Sequence, residues 1–324
     1  MKGWLVEEFG GPEVMQWADM PDPEPGPDEV VVDVHASGVN FAETRMRAGT
    51  YTGLKRPFVL GLEGAGVVSA IGENVESCAV GDKVFFRGRG SHATKCLIKA
   101  YHAFPLPEGW SFEQGAAAGV GWLTAWHALH IVGEARPGQT VLIEAIASSV
   151  GSAALQIAKS KGCWVVGTAS QDAKLAKAKE YGADAIINYK TENVHERVME
   201  LTEGQGLDIG CMTIGEETAS SLIDSMAYEG RVVMYGSTGG RMVTFSLNIG
   251  ERNLQLLSMS IDSSARYVPE TVPSFRNEAL AKFNDGTFKP IIDTVLPVSN
   301  VSRAHEMVGE RHHFGKIILL VPQD

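Results

Sequence analysis

Ser148-Ser149-Val150-Gly151 is the stretch of this chain best placed to meet a phosphate. It follows the apolar run VLIEAI (141–146) and opens the segment SAALQIAKSKG (152–162), which sets Ala154, Leu155 and Ala158 on one helical face. WVVGT (164–168) reads as the next strand. Strand, tight turn, helix and strand make a βαβ unit, in which the helix N-terminus offers N–H groups and the positive end of its dipole to a pyrophosphate. The dinucleotide fingerprint wants G-x-G-x-x-G. Its glycine places hold Ile146, Ser148 and Gly151 here. Gly151 permits close packing of helix on strand, and Ser148 adds a hydroxyl that is able to donate a hydrogen bond. A βαβ layer of some other doubly wound domain would share this texture.

The second strand narrows the cofactor. It ends Gly167-Thr168-Ala169-Ser170, with no carboxylate before Asp172. A carboxylate there holds a ribose 2′-hydroxyl and repels a 2′-phosphate, so its absence permits NADP. Lys174 supplies a positive charge in the following helix, unless it is an ordinary solvated lysine. Tyr189 adds a hydroxyl at the end of the third strand.

These groups need a scaffold. The chain has 324 residues, enough for two domains. A net charge of −11 argues against a broad nucleic-acid surface, which needs clustered Lys and Arg. Cys78, Cys96, Cys163 and Cys211 form no C-x-x-C pair, which reads as reduced thiols in a cytoplasmic protein. No signal-peptide pattern and no membrane span is expected. Residues 1–120 carry short strand-like runs between Pro, Gly and acidic turns, the texture of a barrel-like β domain. Residues 111–131 read as helical, with 121–131 apolar nearly all round and therefore buried. Residues 206–215 and 230–240 read as further parallel strands. The tail, with strands in 288–298 and 316–322 and a helix from Val301, returns to the first domain.

Several segments together carry a family resemblance. The pattern G-x-N-x-x-D-x-x-x-R-x-G-x-Y appears across Gly38–Tyr51, with Glu43 where Asp is usual. GLEGAGVV (61–68), AVGDKV (79–84), LTAWHAL (123–129), GADAIINY (182–189), AHE (304–306) and Gly315-Lys316 follow in order. The chain resembles the medium-chain dehydrogenase/reductase superfamily, in its zinc-free quinone oxidoreductase (zeta-crystallin-like) branch. The resemblance implies an α/β chain: a GroES-like β-barrel domain over 1–122 and 260–324, and a Rossmann doubly wound parallel-sheet domain over 123–259. It implies NADPH in the cleft between them, and a homodimer or homotetramer formed through the Rossmann sheet edge, with 243–248 as the exposed edge strand.

The resemblance also implies site residues. Asn40 and Tyr51 lie near the nicotinamide and substrate, Tyr51 as a donor to the acceptor oxygen, with Arg45 close by. Thr124, Ser148, Ser149, Val150, Gly151, Ser170, Lys174, Tyr189, Thr213, Tyr235, Gly236, Ser237 and Arg311 line the cofactor groove. Catalytic zinc in related alcohol dehydrogenases needs Cys and His ligands. Leu62 holds the His place before Glu63, and no Cys stands near Asn40, so no metal is expected. The expected activity is hydride transfer from NADPH to a quinone or similar activated carbonyl. Reduction of an α,β-unsaturated carbonyl is the alternative that the serine-bearing phosphate turn suggests. NADPH binding with little turnover is the other.

Overall fold

The computed structural model describes residues 1–51, 53–236, 243–245, 247, 252–261 and 270–323. The chain divides into two compact units, Met1–Val120 with Pro290–Asp324, and Gly121–Lys289.

Unit 1 is mostly antiparallel. β1 (Lys2–Val6) pairs with β2 (Met15–Asp19) and β4 (Phe58–Val59). The larger sheet is built on β3 (Glu29–Val39), β5 (Glu63–Ile71), β6 (Lys83–Arg87), β7 (Lys95–Lys99) and β8 (Ala103–Pro105). β3 is rich in β-branched residues, which favour a pleated strand. Val30, Val32 and Val34 bury one face of it in the unit's core. Register shifts at Val31/Val32 and Val34/Ala36 mark its pairing with β5. Beyond β3 the chain turns into α1 (Phe41–Arg47); α2 (Phe112–Ala116) starts at a Ser111/Gln114 capping box.

Unit 2 is a six-stranded parallel sheet. Its strands are β9 (Thr140–Ile143), β10 (Trp164–Ala169), β11 (Ala185–Asn188), β12 (Leu207–Met212), β13 (Met226–Tyr235) and β14 (Gln255–Met259). Their order is β11-β10-β9-β12-β13-β14, the doubly wound arrangement. Chain order reverses between β9 and β12, and ligands bind beyond the carboxyl ends of strands at such a point. Before the sheet comes α3 (Val120–Trp126), continued by a π-helical turn over His127–Val132. The crossovers are α4 (Ser149–Ser160), α5 (Asp172–Glu180), α6 (Val194–Leu201) and α7 (Glu216–Asp224).

The chain returns to unit 1 as β15 (Ile292–Pro297), α8 (Val301–Glu310) and β16 (Lys316–Leu320), with β16 pairing on β3. The return lies near residue 290 rather than the expected 260. Helical segments over 271–284 belong to unit 2, where Phe275, Phe283 and Phe288 pack around Trp122 and Trp126. No strand periodicity marks that stretch, so the sequence offers no boundary signal there. The sheet edge also differs from expectation. Among the described residues it is β14, whereas Val243, Thr244, Phe245 and Leu247 lie outside strands and Ser246 and Asn248 lie outside the described residues.

Candidate functional site

Unit 1 centres its polar residues on Asn40, the residue that caps α1. Its amide donates from Nδ2 to Glu63 Oε1 at 2.8 Å and to Glu43 Oε1 at 3.0 Å. Its Oδ1 accepts from Lys316 Nζ at 2.6 Å. Lys316 also forms an ion pair with Glu63, and both side chains are buried. Glu63 Oε2 accepts from the backbone N–H of Val120 at 2.6 Å. Glu43 takes further donors, the backbone N–H of Asn40 at 3.2 Å and His92 Nε2 at 2.9 Å. Burial acts to raise the Glu43 pKa, but the charges of His92 and His305 and the hydrogen bonds from His92 and Asn40 together outweigh it and leave the pKa lowered.

The local sequence explains how such a cluster fits. A Cβ on Gly38 would lie 2.6 Å from Lys316 Cε and 2.6 Å from the Ala116 carbonyl oxygen. The first glycine of the family pattern is therefore the space that the buried ammonium occupies. Both amide hydrogens of Asn40 are committed to carboxylates, so one Oδ1 lone pair is what it retains for a ligand.

Arg45 lies in α1 and Tyr51 in the loop that follows it, where the N–H groups of Thr50 and Tyr51 both reach the Arg45 carbonyl, at 3.0 and 3.2 Å. Arg87, at the end of β6, was not anticipated. Burial lowers its pKa first and Arg89 next, while Tyr101, Tyr51 and Glu63 act in the opposite direction. The guanidinium thus shares an electrostatic environment with Tyr51 and Glu63. Arg311 ends α8 in the left-handed conformation, with its guanidinium 5.6 Å from the centre of the Phe41 ring.

In unit 2 the strand ends and the next helix begins three residues earlier than the sequence suggests. β9 ends at Ile143, and Ser148 becomes the N-cap of α4. Ser148 Oγ accepts from the Gly151 N–H at 3.0 Å, which leaves its own hydrogen to donate. A Cβ on Gly151 would collide with the Ala145 carbonyl and lie 2.7 Å from the Ile146 Cα, so helix and strand meet here only through glycine. The first turn of α4 holds no acidic residue. Ser149 and Val150 stand in that turn, and Thr124 is buried on α3. Ser170 follows β10, Lys174 lies in the first turn of α5, and Tyr189 follows β11. Asp172, the nearest carboxylate, accepts from Asn188 Nδ2 at 2.7 Å.

Glu144 is a second unanticipated residue. It is buried, accepts from the N–H groups of Thr213 and Ile214 at 2.7 Å each, and bonds to the Thr218 hydroxyl. Burial raises its pKa, and these three donors oppose the rise. The carboxylate thereby ties the end of β9 to the loop after β12 and fixes Thr213. Gly236 is exposed with φ +66, beside Thr213 Oγ1. The Tyr235 side chain is buried against Cys211, so its backbone is what this strand end presents. Ser237 lies outside the described residues.

The family zinc positions do not suit a metal. Asn40 and Leu62 replace ligands there, and the Glu63 carboxylate is already neutralised by Lys316. Cys96 and Cys211 are deep in the two units, where burial pushes each thiol up to about 12. Such thiols resist the deprotonation that zinc ligation requires.

Known proteins give the same assignment. Residues 26–132 match the alcohol dehydrogenase GroES-like domain, and residues 149–282 match the zinc-binding dehydrogenase family. A quinone oxidoreductase of Pseudomonas aeruginosa is 33% identical, over 96% of this chain and 97% of that one. The human quinone oxidoreductase is 31% identical, over 99% and 98%. The chain belongs to the zinc-free quinone oxidoreductase branch of the medium-chain dehydrogenase/reductase superfamily. Its fold superposes on the Escherichia coli quinone oxidoreductase complexed with NADPH with a TM-score of 0.91, covering 99% of this chain and 100% of that one at 30% identity. This quinone-oxidoreductase-like enzyme thus combines the GroES-like and Rossmann domains read from its sequence.

Proposed function

We propose that this enzyme transfers hydride from NADPH to a quinone or a similarly activated carbonyl, without zinc. The observation that carries the reading is the end of β10. It lacks a carboxylate, and Lys174 and Tyr189 follow β10 and β11. That set accommodates a 2′-phosphate. The NADPH carried by the related E. coli structure supports the same cofactor.

NADPH, when bound, supplies the hydride. The α4 N-terminus would receive its pyrophosphate through N–H groups that no helix can satisfy internally. Ser148 would donate its remaining hydroxyl hydrogen to that phosphate. Lys174 and Tyr189 would hold the 2′-phosphate, and Thr213 and Gly236 would serve the nicotinamide half. Ser170 and Thr124 complete the groove, while Ser149, Val150 and Gly151 shape the turn. Asn40 orients a ligand hydroxyl through its free Oδ1 lone pair. Tyr51 donates to the acceptor oxygen, with Arg45 and Arg87 favouring oxygen-rich acceptors. Placement of the two reactants supplies most of the acceleration. Arg311 would serve as a further cationic contact for NADPH.

Ser148 is accounted for by capping α4, so its presence no longer favours an enoyl substrate. The protein acts in the cytoplasm, as a dimer or tetramer paired through the sheet edge at β14. No helix among the described residues is long and apolar enough to cross a membrane. Steady-state NADPH oxidation with a panel of quinones, alongside a 2-enoyl thioester and a 2-alkenal, tests the reading. Turnover on quinones supports it; turnover on the enoyl acceptors alone replaces it, and tight NADPH binding without turnover on any acceptor leaves only a binding role.

A further inference from the structure

One buried cluster in unit 1 has no part in the proposed reaction. Glu43 on α1, His92 between β6 and β7, and His305 on α8 each present a ligand-type atom, all within 4.8 Å of one another. All three side chains are buried.

The hydrogen bonds fix where the protons are. Ser37 Oγ lies 2.9 Å from the Glu63 carbonyl oxygen, which only accepts, so Ser37 gives its single hydrogen there. With its hydrogen on that carbonyl, Ser37 Oγ accepts from His92 Nδ1 and Ser91 Oγ, each at 2.8 Å. Nδ1 of His92 therefore carries a hydrogen. Nε2 faces Glu43 Oε2 at 2.9 Å. Glu43 already accepts from the N–H and Nδ2 of Asn40, as an ionised carboxylate does. One proton, on Nε2 of His92, bridges the pair.

This is the arrangement a metal-binding imidazole needs. A ligating histidine donates its other ring N–H to a fixed acceptor, and a ligating carboxylate is itself held by hydrogen bonds. Ser37 and Asn40 supply both. The third member, His305, has a buried Nε2 without a hydrogen-bond partner. Its Nδ1 lies 3.1 Å from Arg47 NH1.

We propose that Glu43, His92 and His305 form a site for a divalent ion of the zinc class, taken up in exchange for the proton on His92 Nε2. Two imidazoles and a carboxylate are a zinc-type ligand set that leaves one position open. Bonds of about 2.0–2.2 Å to a tetrahedral ion hold ligand atoms roughly 3.3–3.6 Å apart. On binding, the His92–Glu43 pair opens slightly from 2.9 Å and any separation above that range closes by small side-chain shifts. On ligation through Nε2 the His305 hydrogen moves to Nδ1, and Arg47 gives up that contact while keeping its bond from Nε to the Gly10 carbonyl, 3.2 Å long. The site is separate from the family's zinc positions at Asn40, Leu62 and Glu63. It is coupled to Asn40 through Glu43, so an ion bound there draws on the residue that the reaction uses.

Titration of the chelator-treated full-length enzyme with Co(II) tests the proposal. The expected result is one equivalent bound, with the visible absorption of a four- or five-coordinate ion, reversed by Zn(II). Calorimetry in two buffers of different ionisation heat should show about one proton released per ion, with Arg47 and the Lys316–Glu63 pair as the neighbouring fixed charges. His92→Phe and His305→Gln should each weaken binding at least tenfold, while a His312→Ala, His313→Ala double variant leaves it unchanged. Should His92→Phe fail to fold, His305→Gln alone decides. Absence of stoichiometric binding, or binding that persists at full strength in the His305 variant, overturns the proposal.

Discussion

Lys316 donates to Asn40 Oδ1 at 2.6 Å across 276 residues of sequence. This bond joins the last strand to the cap of the first helix. It also puts the ammonium that pairs with Glu63 in direct contact with the asparagine of the family pattern.

Lys316→Met leaves Glu63 buried without its counter-ion. Removing one partner of a buried pair costs about 3–5 kcal/mol. Urea denaturation should show that loss, and adding Glu63→Gln to Lys316→Met should recover part of it. A loss below about 1 kcal/mol would mean the pair is solvated in solution.

Gly38→Ala places a methyl group against Lys316 Cε and the Ala116 carbonyl, each 2.6 Å away. Overpacking of this kind costs about 1–3 kcal/mol. Thermal unfolding should fall accordingly, with NADPH affinity nearly unchanged, since the glycine belongs to unit 1 and the phosphate turn to unit 2.

Lys174→Ala removes the cation assigned to the 2′-phosphate. A hydrogen bond to a charged group contributes about 1.5–3 kcal/mol, or roughly 10–100-fold in affinity. Fluorescence titration should show that loss for NADPH and almost none for NADH. Equal losses for both coenzymes would assign the lysine a structural role.

His102 is buried, with its pKa pushed down to about 3 by burial first and the charge of Arg87 second. An unfolded histidine titrates near about 6.5. Between these values the unfolded state binds the extra proton, so stability falls as pH drops through that window, by up to about 1.4 kcal/mol per unit. His102→Phe should flatten the slope of unfolding free energy against pH between about 6 and 4. An unchanged slope would show that His102 is already solvated.

The phosphate turn was legible because Gly151 and the strand–helix periodicity are local signals, and the structure adds only that Ser148 serves as the helix cap. The β domain was legible in its short valine-rich runs. The return boundary was not, since its helices are held by Phe275, Phe283 and Phe288 rather than by a periodic pattern. Asn40 and Glu43 stood out by motif, yet their partners His92, Lys316 and His305 come from distant segments, and no spacing in a single sequence joins them. That the Tyr235 side chain faces the core was not legible, because alternation along a strand does not say which side is buried.

Loss of reduced-nicotinamide absorbance, followed for the chelator-treated enzyme with a quinone acceptor, tests the central claim most directly. The account predicts quinone-dependent oxidation of NADPH, at least tenfold more efficient than that of NADH, and sustained after chelation. No quinone-dependent oxidation with either coenzyme, or activity abolished by chelation and restored by zinc, would contradict it.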